Sequence, residues 1–446
     1  MRRVVASNRR APGPRGGVVL GNLKEFIADP LGLLERAVRE YGDVVRFRLG
    51  PMVEHLVNHP DHVAHVLQSH QANYDKDTRS SSHLRRICGD SLLTTNGAEW
   101  RRRRDLIRPA FRKGCVQEFT TLMVDSCGTL LDGWEREAER QRDAASEMTR
   151  LTYTIVARAL FSTDVRVGAS EMEPVMRSLM DISFERLRRV VNLPSWVPTA
   201  ENRRFRTALA EMDRMVYELI DSHRQSDRYD DLLSMLLRVA DDASGQRMTL
   251  RDVRNETITL LIAGHETTAN ALSWTLHLLA THPEIQEDVR DEVASVLGGR
   301  PPVVDDLARL ELLTRVVHES MRLFPPIWII ERRAIADDEI AGFHIPRGSG
   351  VVVSPWTMHG HPGFWEQPDV FDPSRFESGH NPAFMPFGGG QRFCVGNEFA
   401  MIEAKVILAM VLQRFRVRPV DGAVIRPFAG ITLPPAHGMP LRFDPL

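Results

Sequence analysis

A helix that begins at Thr249 meets nothing to stop it until His282-Pro283. The Thr249 hydroxyl, with Asp252 three residues on, makes a capping-box pattern that marks its start. At about thirty residues it far exceeds the ~11 of an average globular helix. A helix of that length in a soluble chain crosses the whole body, so the other elements must be arranged around it. Its middle, Leu260 to Asn270, places polar groups where the flanks are apolar. Thr267 can bond back to the carbonyl of Ala263, and Gly264 would let a large ligand approach closely; a solvated helix face is the alternative reading.

The rest of the chain reads as one mostly helical body. Of 446 residues, 43% are hydrophobic and 26% charged, which fits a globular chain and excludes a disordered or collagen-like one. No repeat or Ser/Gly linker divides it, so residues 1–12 are expected to be a flexible lead and 13–446 a single domain. An amphipathic helix is expected over Pro30 to Tyr41, and a strand over Asp43 to Leu49 before the Gly50-Pro51 turn. Trp100 to about Leu237 reads as almost all helical, broken at Asn192 to Pro198. A helix over Glu311 to Leu323 ends at Pro325-Pro326. Short strands and turns follow over Ile327 to Val353, then loops to Gly390, and a last helix from about Val395.

Composition removes several function classes. Lys plus Arg (57) nearly balances Asp plus Glu (59), so nothing in the total charge of -2 argues for nucleic-acid binding. Cys88, Cys115, Cys127 and Cys394 are too few and too scattered for a disulfide framework or a Cys-x-x-Cys zinc site. Arg2, Arg3, Arg9 and Arg10 are followed by no apolar stretch, so neither a signal peptide nor a membrane anchor is expected, and a cytoplasmic location is. His265-Glu266 lacks the second histidine of a zinc protease, and His359-Gly360-His361 is expected at a loop surface.

Three features of the last third need a joint explanation. Cys394 lies between a glycine turn (Gly388-Gly-Gly) and an expected helix N-terminus, where N–H groups and the helix dipole lower a thiol's pKa; a buried core cysteine is the alternative. Glu319 and Arg322 share a helix face, with Arg375 as a third member; the alternative is an exposed ion pair of little energetic weight. The third is the polar centre of the long helix.

Together these residues resemble the cytochrome P-450 superfamily of haem-thiolate proteins. The pattern Phe-x-x-Gly-x-Arg-x-Cys-x-Gly is met by Phe387, Gly390, Arg392, Cys394 and Gly396, and Glu-x-x-Arg by Glu319 and Arg322. Arg375 meets the element that follows, Ala263 to Thr268 the oxygen-side element, and Trp100-x-x-x-Arg104 the helix signature further upstream. The resemblance implies a mainly α fold with small β-sheets, a triangular helical body with the long central helix over the haem. It implies Cys394 as the ligand to the iron of haem b (iron protoporphyrin IX), electron donation from its thiolate favouring O–O cleavage. It implies Phe387 beside the sulfur, and Gly390 and Gly396 where the chain passes close to the porphyrin. Trp100, Arg104 and Arg392, with Arg332 a weaker candidate, would serve the haem propionates. Glu319, Arg322 and Arg375 would be structural, and Glu266 and Thr267 catalytic, relaying protons to bound oxygen.

The resemblance further implies insertion of one oxygen atom from O2 into an apolar small molecule: a terpene, a polyketide or a fatty acid. Electrons would come from NAD(P)H through a ferredoxin or flavodoxin with its reductase. Arg101, Arg102, Arg103, Arg108, Arg112 and Lys113 would form the docking face, a merely solvated basic helix being the alternative. Ala263, Ile327 to Ile330 and Ile431-Thr432-Leu433 would line the substrate site, with lids over about 75–93 and 183–201. The other readings are a haem-thiolate sensor without turnover and a cysteine hydrolase. The sensor would not need Glu266 with Thr267, and the hydrolase would need a partner histidine that no feature assigns.

Overall fold

The computed structural model of the chain describes residues 9–161, 168–189, 191–225, 231–241, 248–379 and 381–446. The central helix runs over Leu250–Thr281, 32 residues. Both halves of its capping box are formed: the Asp252 N–H donates to Thr249 Oγ1 at 3.1 Å and the Thr249 N–H to Asp252 Oδ2 at 2.9 Å. Most of its residues are buried, so its stability comes from packing on all sides rather than from one apolar stripe. It packs along Ala144–Phe161 and against Glu311–Leu323 and Asn397–Arg414. Trp274 stacks on Phe324 at 4.0 Å and donates to the Leu433 carbonyl at 2.8 Å, tying the helix to the C-terminal segment.

Gly264 does not open the helix to a ligand, as the sequence suggested. A Cβ there would lie 2.9 Å from Val156 Cγ2 on the Ala144–Phe161 helix, so the glycine lets two helices close on each other. Thr152 Oγ1 on that helix donates to the His265 carbonyl at 3.0 Å across the same contact.

Among the described residues, ten strands form three small sheets: β1 Val44–Leu49, β2 Met52–Val57, β3 Tyr74–Asp75, β4 Gln141–Asp143, β5 Ile330–Ala334, β6 Asp338–Ile340, β7 Phe343–Ile345, β8 Gly350–Val353, β9 Phe415–Pro419 and β10 Pro440–Pro445. The largest sheet has the order β1-β2-β8-β5-β3, with β2 and β8 parallel and the other pairs antiparallel. Strand β4 interrupts a stretch read as helical. It pairs with β10 at the far end of the chain, a partner no local pattern announces.

The helices expected over Pro30–Tyr41 and Glu311–Leu323 have those bounds. The last helix starts at Asn397, after Val395 and Gly396 complete a turn. Of the lead expected to be flexible, residues 1–8 lie outside the described residues, while the segment after them is pinned. The His344 N–H donates to the Arg9 carbonyl at 2.9 Å and the Arg46 N–H to the Pro12 carbonyl at 2.7 Å, and Ala11 is buried.

Candidate active site

The loop from Phe387 to Gly396 is shaped by its glycines. Gly390 has φ +67° and a Cβ there would overlap the Leu67 carbonyl, so no other residue fits. A short turn over Gly390–Arg392 follows, the Cys394 N–H donates to the Phe387 carbonyl at 3.0 Å, and Arg104 Nη2 holds the Phe393 carbonyl at 2.9 Å. Cys394 is enclosed by protein yet keeps accessible surface, whereas Cys88 and Cys127 are buried in the core. The expected depression of its thiol pKa is reversed: burial pushes the thiol up, with the Gly396 N–H and the Arg104 guanidinium pulling the other way. A thiolate here therefore needs a stronger positive partner than Arg104.

Around this loop positive groups gather. Trp100 is buried, with the guanidinium of Arg392 4.5 Å and that of Arg104 5.6 Å from its ring centroid. Arg392 donates to the Thr95 carbonyl at 2.7 Å and Asn96 Oδ1 at 3.1 Å. Burial, then the charges of Arg332 and Arg104, bring Arg392 down to about 9, and burial brings Arg332 down to about 10. Lys76, unnoticed in the sequence, is held well below its usual value by burial and by Arg332 and Arg392. Cations crowded together and withdrawn from water, Arg332 fully and Lys76, Arg104 and Arg392 in part, are favoured by matching anions. A group carrying two carboxylates, as haem b does, suits this cluster, and the accessible Cys394 suits its iron.

Glu319, Arg322 and Arg375 meet in the core, not at the surface. Arg322 grips Glu319 through both carboxylate oxygens, at 2.7 and 2.8 Å, with Glu319 fully buried and Arg322 2% exposed. Arg375 Nε stands 3.4 Å from Glu319 Oε1, and the Asp372 N–H donates to that same oxygen at 3.0 Å. The remaining Arg322 donors reach the carbonyls of His359 (2.9 Å), Pro368 (2.7 Å) and Val370 (3.1 Å), which ties the loop preceding Cys394 to the helix. His359, expected at the surface, is fully buried: burial and Arg322 bring its imidazole down to about 3, and the neutral ring accepts the Met385 N–H at 2.9 Å.

In the central helix Thr267 Oγ1 donates to the Ala263 carbonyl at 2.8 Å, as its spacing suggested. Ala263 is exposed and Thr267 partly so, four residues apart on one face of a helix buried on most others. Thr432 is not a lining residue. It is buried, donates to Glu266 Oε1 at 2.6 Å and accepts from Asn270 Nδ2 at 3.0 Å, so the carboxylate is held by a chain of two polar residues that sequence reasoning missed.

A cleft of about 1460 Å³ opens beside the largest sheet. Ile327, Ile330 and Ile431 line it, as do Lys76 to Ser81 and Ser183, Phe184, Leu187 and Arg188 from the two expected lids, whereas Ala263 and Leu433 are not in its wall.

The expected basic docking face is smaller than the sequence suggested. Arg102 pairs with Glu99 at 2.7 Å, and the buried Arg103 pairs with Asp252 and with Glu256 (2.9 Å), joining the Gly97–Ile107 helix to the central helix. Arg101, Arg108 and Arg112 remain exposed; the side chain of Lys113 lies outside the described residues.

Such a site, an accessible thiol beside a cluster of partly buried cations, is that of a haem-thiolate oxidoreductase. The family model described as Cytochrome P450 matches residues 11–440, and the chain belongs to that family of haem-iron monooxygenases. It is 35% identical over 98% of its length to "Cyclooctatin synthase" of Streptomyces melanosporofaciens, covering 95% of that protein. It is 32% identical to "Cyclooctat-9-en-7-ol 5-monooxygenase" of the same organism (91% of this chain, 89% of that one). It is also 32% identical to "Pentalenene oxygenase" of Streptomyces avermitilis (93% of each). Among the described residues no helix is long and apolar enough to cross a membrane.

Proposed function

We propose that this enzyme inserts one oxygen atom from O2 into a cyclic terpene. The observation that carries the reading is the near full-length likeness to three Streptomyces proteins, two of them named for oxidising pentalenene and cyclooctat-9-en-7-ol. The cleft beside the sheet, with Phe26, Phe184, Ile327, Ile330 and Ile431 in its wall, supports an apolar substrate. The haem supplies the activation of O2 when bound.

Within this reading Cys394 Sγ holds the iron, and Arg104, Trp100, Arg332, Arg392 and Lys76 hold the two carboxylates. Glu319, Arg322 and Arg375 keep the Cys394 loop in place, and residues 13–446 act as one unit. Thr267 and Glu266 move protons on the oxygen side. The Thr267 hydroxyl donates its proton to Ala263, which leaves its oxygen as an acceptor, while Thr432 holds Glu266 Oε1 and leaves Oε2 to carry a proton. A panel of cyclic terpenes added to the ferric enzyme tests the substrate class. At least one is expected to shift the Soret band and to be oxidised on reconstitution; a panel of fatty acids doing so instead overturns the terpene reading.

Two consequences follow for variants. Thr432→Val keeps the shape and removes the hydroxyl, so Glu266 loses its tether. Product formed per NAD(P)H consumed is expected to fall roughly three- to tenfold, the worth of one hydrogen bond; unchanged coupling takes Thr432 out of the relay. Electrons arrive in a cytoplasmic setting from NAD(P)H through an acidic ferredoxin or flavodoxin and its reductase, docking on Arg101, Arg108 and Arg112. Arg101→Glu with Arg108→Glu is expected to slow haem reduction about tenfold at low ionic strength and less at high. Stopped-flow rates that do not respond to either change exclude this face.

A further inference from the structure

The sheet wall of the cleft is not uniformly apolar. Across it Phe47 of β1 faces Glu54 of β2, Glu54 pairs with Gly350 of β8, and Val352 of β8 faces Glu331 of β5; all five residues line the cleft. Glu54 is half-buried, and among the described residues no hydrogen-bond donor or cation meets its carboxyl group. Glu331, by contrast, accepts from Ser80 Oγ. Gly350 makes room for Glu54: a Cβ at position 350 would overlap the Glu54 carboxyl oxygens. Desolvation, with the like charge of Glu331 beside it, pushes Glu54 up to about 8, which leaves it mostly neutral at pH 7. Withdrawing a carboxyl group part-way from water without a partner costs stability, and the glycine at 350 leaves it the room it occupies.

What fills the cleft can supply the partner, and the surrounding charges decide its chemistry. Lys76 and Arg332 line the same cleft but serve the haem carboxylates in the reading above, and Arg333 pairs with Asp75 and Asp77, which leaves Arg79 to oppose an ammonium group while Glu331 opposes a carboxylate. A pure hydrocarbon leaves Glu54 unpaired. A neutral hydroxyl both donates to and accepts from a neutral carboxyl group.

We propose that Glu54 receives a hydroxyl group of the substrate, so that this enzyme acts on a terpene alcohol, the product of an earlier oxygenation or of water capture during cyclisation, rather than on a hydrocarbon. The proposal rests on the terpene reading above. Glu54 is here a specificity residue, seated in the wall away from the Cys394 loop.

Ferric Soret titrations of the haem-loaded enzyme with matched pairs, cedrene with cedrol and farnesene with farnesol, test it. The alcohol of a pair is expected to bind about tenfold tighter, the worth of one buried hydrogen bond. Glu54→Leu is expected to erase that preference and Glu54→Gln to keep most of it, both retaining the wild-type spectrum of the reduced, carbon-monoxide-bound form. Gly350→Ala, which displaces the carboxyl group without removing it, is expected to lose the preference too and serves should Glu54→Leu not fold. Equal affinity within every pair, or a preference that survives Glu54→Leu and Gly350→Ala, overturns the proposal and leaves the terpene reading standing. No shift with any of the four compounds, where fatty acids do shift the band, overturns both.

Discussion

Arg322→Ala is expected to yield almost no folded, haem-loaded protein. The substitution strands the Glu319 carboxylate in the core, where it now receives two Arg322 bonds, and orphans the carbonyls of His359, Pro368 and Val370 together. Breaking a buried pair by removing one partner costs ~3–5 kcal/mol, against a total stability of roughly 5–15 kcal/mol for a whole domain. Arg375 cannot take over, since its other donors already serve the carbonyls of Glu366 and Gln367. Soluble yield, thermal midpoint and the Soret to protein absorbance ratio are the measurements. An Arg322→Lys variant is expected to fare little better, because an ammonium group lacks the planar fork that meets Glu319 twice and three carbonyls besides. Wild-type yield and haem content for Arg322→Ala exclude the network as a support of the Cys394 loop.

Cys394→Ser is expected to abolish turnover while leaving part of the haem binding intact. The buried Arg332 and the half-buried Lys76, Arg104 and Arg392 are untouched by the change, so on the proposed reading they would still receive two carboxylates. What disappears is the thiolate. The reduced, carbon-monoxide-bound variant is expected to lack the red-shifted Soret band, and product formation to drop below detection. A variant that keeps both the band and the activity removes Cys394 from the iron. The rise of its thiol pKa through burial sharpens the test: without a metal ion the site favours the protonated sulfur, so its deprotonation reports the metal directly.

What could be read from the chain depended on how far away each cause lies. The central helix and those over Pro30–Tyr41 and Glu311–Leu323 were legible because their limits are set by neighbours in sequence: a capping box, a proline at the start, two prolines just past the end. The meeting of Glu319 with Arg322 was legible for the same reason, being one helical turn. Strand β4 was not, since three polar residues become a strand only by pairing with β10. Nor was the burial of Lys76, which sits in the polar run Tyr74-Asp-Lys-Asp77 and is enclosed by elements from three parts of the chain. Thr432 was misjudged because an apolar neighbourhood, Ile431 and Leu433, conceals that its hydroxyl meets a carboxylate on the central helix. Arg102 and Arg103 read as surface charge until their acidic partners came into view.

Outside Glu319, Arg322 holds three main-chain oxygens and sits 5.1 Å from the centroid of the Trp365 ring, which has a bearing on how such a protein can drift. A loop held largely through its peptide groups is indifferent to the side chains it turns outward, so exposed positions such as Pro362, Glu366 and Asp369 can change across lineages without loosening the anchor, whereas the buried Trp365 cannot. Randomised libraries confined to those exposed positions should therefore yield a high proportion of pigmented clones, a practical handle for reshaping the molecule's outer surface while its inner frame stays put.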